Sequence, residues 1–291
     1  MSGRSAADRL AAGLAPGQRA WIHARDLDSD REVGLDPDRR VPVASIAKLA
    51  LLVALHRLAD AGEVDLTAQT TVPVAGRTLG FTGLSVLSDP ATLSLRDLSL
   101  LMITVSDNAA ADVLFGVVGV ARVGEELAAL GLPGIAVRQT LREMFIMLNE
   151  DTGGAGPADA AARMSDPARL RVLDPDLTSS ASPRDLTALL AAIWRDEAAT
   201  PAACAEMRRA LGLQVWPHRL ASGFPSDDVR VSGKTATLPT MRHEIGVVEY
   251  PAGGRYAVAV LTQTGSPAPT QPGADAAIGT VGRTAVELLR G

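Results

Sequence analysis

Ser45-Ile46-Ala47-Lys48-Leu49-Ala50-Leu51-Leu52 reads as the opening of a buried helix. Leu49, Leu52, Leu55 and Leu58 recur at helical spacing, and Gly62 closes the run. Ser45 stands at its start, with Lys48 one turn later on the same face. A serine hydroxyl is a weak nucleophile until a base removes its proton. A helix N-terminus favours the negative charge that then develops. A lysine desolvated by Val43, Leu49 and their neighbours loses its proton more readily, which makes Lys48 a candidate for that base. Alone the motif is weak, because serine is also an ordinary helix N-cap.

The choice of lysine strengthens it. Of 28 basic residues, only Lys48 and Lys234 are lysines. A general compositional bias accounts for the arginines but not for where the lysines fall. An amine can be deprotonated at ordinary pH, whereas a guanidinium cannot. Lys234 lies in Ser232-Gly233-Lys234-Thr235-Ala236, at the end of a predicted strand. A lysine and a hydroxyl at a strand edge facing a cleft suit an anionic group. Between the two lysines, Ser106-Asp107-Asn108 joins two predicted helices. At such a junction Ser106 can relay a proton to a leaving nitrogen, and Asn108 can hold both Lys48 and a substrate amide. Asp107 is expected to stiffen the loop.

Outward from these motifs, strands are expected over Arg19–Leu27 and Arg31–Leu35 near the front. Three more are expected over Val229–Lys234, Arg242–Tyr250 and Arg255–Thr264 near the back. Helices are expected over about 2–14, Ser45–Gly62, Ser94–Val105, Ala109–Val117, Val120–Leu130, 182–197, Pro201–Leu211 and 274–290. Residues 150–182, rich in Gly, Pro, Asp and Ser, carry no clear pattern. The reading is one α+β domain over 1–291. Residues 1–40 and 226–291 build a five-stranded antiparallel sheet from both chain ends, and 41–225 form an inserted all-helical lobe. A cleft between lobes is the default binding site.

Composition narrows the function. The 291-residue chain has net charge −5, with no basic cluster interleaved with aromatics, so nucleic acid is not expected as a partner. The longest apolar runs are too short to span a bilayer, so no membrane partner is expected. The N-terminus lacks the apolar core of a secretory signal, which gives a cytoplasmic expectation. One cysteine, Cys204, excludes an internal disulfide, and the histidines lack zinc-ligand spacing. No metal or other cofactor is expected; the partner is a small molecule.

Taken together and in this order, the three motifs resemble those of the penicillin-recognising serine hydrolases, and within them the class A serine β-lactamases. The resemblance covers nearly the whole chain. It includes the strands at both ends, the helix start Ser182-Pro183-Arg184-Asp185, and Met241-Arg242-His243-Glu244-Ile245-Gly246-Val247-Val248. It implies a β-lactamase/transpeptidase-like α/β fold. It further implies Ser45 as acylated nucleophile, Lys48 as its activating partner, Ser106 as proton shuttle and Asn108 as positioning amide. Lys234 and Thr235 would bind a substrate carboxylate. The backbone N–H groups of Ser45 and Thr237 would form the oxyanion hole. An arginine near the carboxylate site is also implied, for which Arg219 and Arg242 are equal candidates.

Two departures from the family pattern stand out. Ala236 replaces the glycine of the third motif, placing a methyl group on the substrate-side strand. The Glu-x-x-Leu-Asn motif that supplies the deacylating base is missing. Glu143, Glu150, Asp166 and Asp174 are the acidic residues considered in its place. Hydrolysis of a β-lactam or related amide through an acyl-enzyme on Ser45 is the expected activity. Esterase, amidase or peptidase chemistry on the same scaffold, and non-catalytic binding of an acyl ligand, remain the alternatives.

Overall fold

The computed structural model describes residues 5–153, 164 and 166–291. Part of the Gly/Pro-rich stretch and the first residues of the expected N-terminal helix lie outside these. That helix is observed as α1 (Ala6–Ala11), closed at its start by a capping box between Ser5 and Asp8. Strands β1 (Arg19–Asp26) and β2 (Glu32–Leu35) form an antiparallel hairpin. The chain then passes through β3 (Val41–Pro42) into a 3-10 turn, Ala44–Ile46, and helix α2 (Ala47–Asp60). After α2 come β4 (Gln69–Val72), β5 (Ala91–Ser94), α3 (Leu95–Thr104), α4 (Asn108–Val118), α5 (Val120–Ala129) and α6 (Leu141–Asp151). Strand β6 (Ser180–Ala181) precedes α7 (Pro183–Trp194) and α8 (Pro201–Gly212). Three strands, β7 (Arg230–Leu238), β8 (Met241–Glu249) and β9 (Arg255–Gln263), lead to the closing helix α9 (Pro272–Arg290).

The five-stranded antiparallel sheet runs β2-β1-β9-β8-β7, so strands from the two chain ends meet where β1 pairs with β9. The central strands are buried on both faces and therefore read as apolar runs rather than alternations. Along β9, Val258 and Val260 face α1 and α9, packing with Leu10, Ile278, Val281 and Val286. Ala257, Ala259 and Leu261 face the other way, into the larger core shared with α2 and α7.

Three details differ from the sequence reading. The segment between the sheet halves also carries two short ladders, β3–β6 and β4–β5. Periodicity misses pieces this short. Ser45 is not an N-cap; it lies inside the 3-10 turn, and no side chain caps α2. The strand bearing Lys234 continues to Leu238, because Lys234 to Leu238 all pair with β8. The third motif is therefore mid-strand on the sheet's edge.

The 3-10 turn Leu220–Gly223, just after Arg219, packs against α9 with almost no room. A Cβ on Gly279 would stand 2.5 Å from the Arg219 carbonyl oxygen and 2.7 Å from Gly223 N. Gly279→Ala is expected to destabilise the fold by roughly 2–4 kcal/mol, checked by urea unfolding. An unchanged midpoint would show that α9 does not set this loop.

Candidate active site

The chain reaches Ser45 through a constrained corner. Ala44 takes φ +43°, a left-handed conformation that non-glycine residues rarely adopt. The corner is held by Val43 N donating to Ser179 O at 2.9 Å and by packing of the turn against β7. Ser45 is half-buried, and its hydroxyl makes no hydrogen bond to another described residue.

Lys48 is fully buried, and its amine donates to Ser106 O at 2.6 Å, Asn108 Oδ1 at 2.7 Å and Ser106 Oγ at 3.2 Å. All three ammonium protons are thus directed at the second motif rather than at Ser45. Burial lowers the Lys48 pKa to about 7, with Asp107 and Asp112 pulling it the other way. Near neutrality the amine exists in both forms, as a base must.

Ser106 also occupies the left-handed region, at φ +60°. Its hydroxyl lies between the two lysines, 3.2 Å from Lys48 Nζ and 2.9 Å from Lys234 Nζ. When both amines donate, the oxygen lone pairs are occupied and the hydroxyl proton is left to point elsewhere. Asn108 holds Lys48 with its oxygen and donates through Nδ2 to Leu79 O at 2.7 Å. That bond fixes a loop whose Leu79 and Phe81 are exposed. Asp107 accepts from Ala110 N at 3.1 Å, capping α4, and from Leu84 N at 2.6 Å.

Lys234 is fully buried in β7, with Nζ also donating to Thr235 O at 2.9 Å. Burial, then repulsion from Lys48, drives its pKa well down, while Glu244 opposes the fall. Thr235 N donates to Gln214 Oε1 at 2.7 Å, so that N–H points away from β8. The strand's period of two turns the Thr237 N–H the same way, out of the sheet edge, and Thr237 is exposed.

The two arginines separate clearly. Arg219 reaches Thr237 Oγ1 at 2.9 Å, Ala236 O at 2.7 Å, His243 O at 2.9 Å and Asp275 Oδ1 at 2.7 Å. Arg242 turns away, donating to Ala268 O at 2.5 Å and Pro269 O at 3.1 Å. Of the two guanidinium groups, only that of Arg219 bonds to β7. The Arg242 side chain fastens the 268–269 loop and lies 3.9 Å from the Asp275 carboxylate that also holds Arg219.

The four acidic residues weighed for deacylation are all engaged elsewhere. Glu143 closes the capping box of α6 by accepting from Thr140 N at 2.8 Å. Glu150 pairs with Arg171 at 2.7 Å, and Asp166 with Arg169 at 3.0 Å. Asp174 accepts from Asp176 N at 2.9 Å in a local turn. None is recorded in contact with Ser45, Lys48 or Ser106.

The sequence reading gave no part to three residues, half-buried Gln214 and buried His243 and Glu244. Gln214 bridges Thr235 N and Glu244, donating to Glu244 Oε1 at 2.8 Å. His243 accepts from Thr262 N at 3.0 Å on Nδ1 and so donates from Nε2 to Pro42 O, 3.0 Å away. That bond ties the strand entering the Ser45 corner to the sheet, and burial keeps the ring neutral by lowering its pKa to about 4. Glu244 was visible as a charge breaking an apolar strand, but only the fold shows what faces it. Two surface cavities, of about 650 Å³ around Trp21 and Asp38 and about 440 Å³ around Thr78 and Arg142, are not lined by Ser45, Lys48, Ser106 or Lys234. Among the described residues no cluster of three His, Cys, Asp or Glu side chains is arranged to hold a metal ion, and no helix is long and apolar enough to cross a membrane.

Comparison with known proteins places the chain in a family. The model of the Beta-lactamase enzyme family matches residues 5–289. A relative from Streptomyces cacaoi, described as beta-lactamase regulatory protein BlaB, is 36% identical over 284 residues, covering 91% of each chain. Among solved structures, a beta-lactamase from Sphaerobacter thermophilus is 26% identical with a TM-score of 0.79, covering 97% of this chain and 96% of that one. PBP-A, at 20% identity and a TM-score of 0.78 over 98% of this chain and 96% of its own, shares the fold. With the family model spanning nearly all of it, the chain belongs to the Beta-lactamase enzyme family.

Proposed function

We propose that this protein is a serine hydrolase of the β-lactamase type, taking the acyl group of a β-lactam or related amide onto Ser45 and releasing it slowly. One observation carries the reading: the Ser106 hydroxyl is held by Lys48 and Lys234 together. That arrangement supplies a base and a proton path on one side of the reacting centre.

Ser45 Oγ attacks the carbonyl carbon, forming the C–O bond, while its proton passes to neutral Lys48. The Ser45 and Thr237 N–H groups donate to the oxyanion. As the C–N bond breaks, Ser106 gives its proton to the leaving nitrogen and is reprotonated by Lys48. Lys234, Thr235 and Arg219 receive the substrate carboxylate. The Ala236 methyl is buried in the main core rather than turned to the cleft, so the sequence expectation that it crowds a substrate is corrected. Water must then attack the ester, yet no described carboxylate is poised beside it. Hydrolysis therefore lags behind acylation.

A second reading has its own support. A persistent acyl-enzyme reports that ligand has been met, and the Streptomyces relative carries a regulatory description. The same cleft would then sense rather than clear the ligand.

Incubation with a chromogenic cephalosporin, followed by intact mass, tests the proposal. A stoichiometric adduct on Ser45 with turnover far below the acylation rate is expected; no adduct with any β-lactam or simple ester would refute it. Lys48→Arg keeps the charge but removes the base, and should abolish the adduct. Because the reactive form of Lys48 is the neutral one, the acylation rate should climb with pH through about 7 and level off above it. Arg219→Ala should raise KM for carboxylate-bearing substrates about tenfold or more, whereas Arg242→Ala should leave KM within about threefold. Equal effects would cancel the distinction between the two arginines.

A further inference from the structure

Glu244 is 1% exposed, yet no lysine or arginine pairs directly with it among the described residues. Its Oε1 accepts from Gln214 Nε2 at 2.8 Å, and its Oε2 accepts from Leu220 N at 2.6 Å. Both oxygens are acceptors, which suits an ionised carboxylate. The Gln214 amide is thereby fixed: its nitrogen faces Glu244, leaving its oxygen for Thr235 N at 2.7 Å. Leu220 directly follows Arg219, so the same carboxylate anchors the segment that delivers that guanidinium. Glu244 lies opposite Thr235 in the β7–β8 register. The charged groups acting on it are Arg219 and Lys234, both cations. On Lys234 it is the acid that opposes the combined effect of burial, Lys48 and Arg219.

We propose that Glu244 is a positioning residue for the anion-binding strand: its carboxylate orients Gln214, and through it the Thr235 backbone, and anchors Leu220 beside Arg219. The proposal rests on the acyl-transfer reading only for the kind of anion bound. Burial raises the Glu244 pKa to about 7. Below that pH it becomes neutral, and its new O–H meets donors from Gln214 and Leu220 rather than an acceptor. The orientation of Gln214 and Thr235 is therefore held less firmly on the acid side.

The Gln214 side-chain amide and the Thr235 backbone amide, observed in nitrogen-15-labelled protein, report this chain of bonds directly. Both resonances should inflect together near pH 7 in the native protein, and in Glu244→Gln the inflection should vanish. If Glu244→Gln leaves both resonances and their titration unmoved, Glu244 does not position the strand. These readouts need no acylation, so they survive failure of the functional reading. Where the protein is acylated, Glu244→Gln should raise KM about tenfold for a penicillin but under about twofold for its methyl ester. Equal losses on acid and ester would assign Glu244 a merely structural role.

Discussion

The buried Lys48 amine is the constraint on which the site depends. An unpaired ammonium in a core is heavily penalised, so its three donors must be met. They are met by the loop between α3 and α4, through Ser106 and Asn108. The lysine thus docks α2 onto that loop and brings the Ser106 hydroxyl under the sheet edge, where Lys234 meets it. A single polar network joins all three motifs, and the close approach of two buried amines is its least comfortable feature. Burial is what keeps Lys48 easy to deprotonate.

Strain is placed where the network is tightest. Ala44 and Ser106 both sit in left-handed backbone conformations, one beside the nucleophile and one at the shared hydroxyl. Neither is a glycine, so the surrounding packing must enforce them. His243, locked in one neutral tautomer between Pro42 and Thr262, is part of that enforcement.

Much of this was legible in the sequence. That one sheet is built from both chain ends followed from where the apolar runs fell, though the order of its strands did not, and the motif residues fell within reach of one another because each motif lies at an element junction or a strand edge. What was not legible has physical reasons. The two-residue strands β3 and β6 have no period to detect. Arg219 and Arg242 are equivalent as letters, and only the fold reveals that one reaches Thr237 while the other fastens a distant loop. Gln214 and Glu244 matter through long-range bonds that no local spacing encodes. The missing deacylation motif was readable as an absence, and the structure adds that the nearby acids are occupied by caps, turns and ion pairs.

Pairing β1 with β9 has a consequence for how the protein is made. Ile22 lies opposite Val260, so the sheet joins residues separated by most of the chain. Ser45, Lys48 and Ser106 emerge from the ribosome long before β7 and β9 exist to cover them. Until then β1 and β2 form a hairpin without its main partner, and α2 exposes an almost wholly apolar surface. A topology so rich in long-range pairing folds slowly. The reactive corner is therefore assembled only once β7, β8 and β9 have joined the sheet.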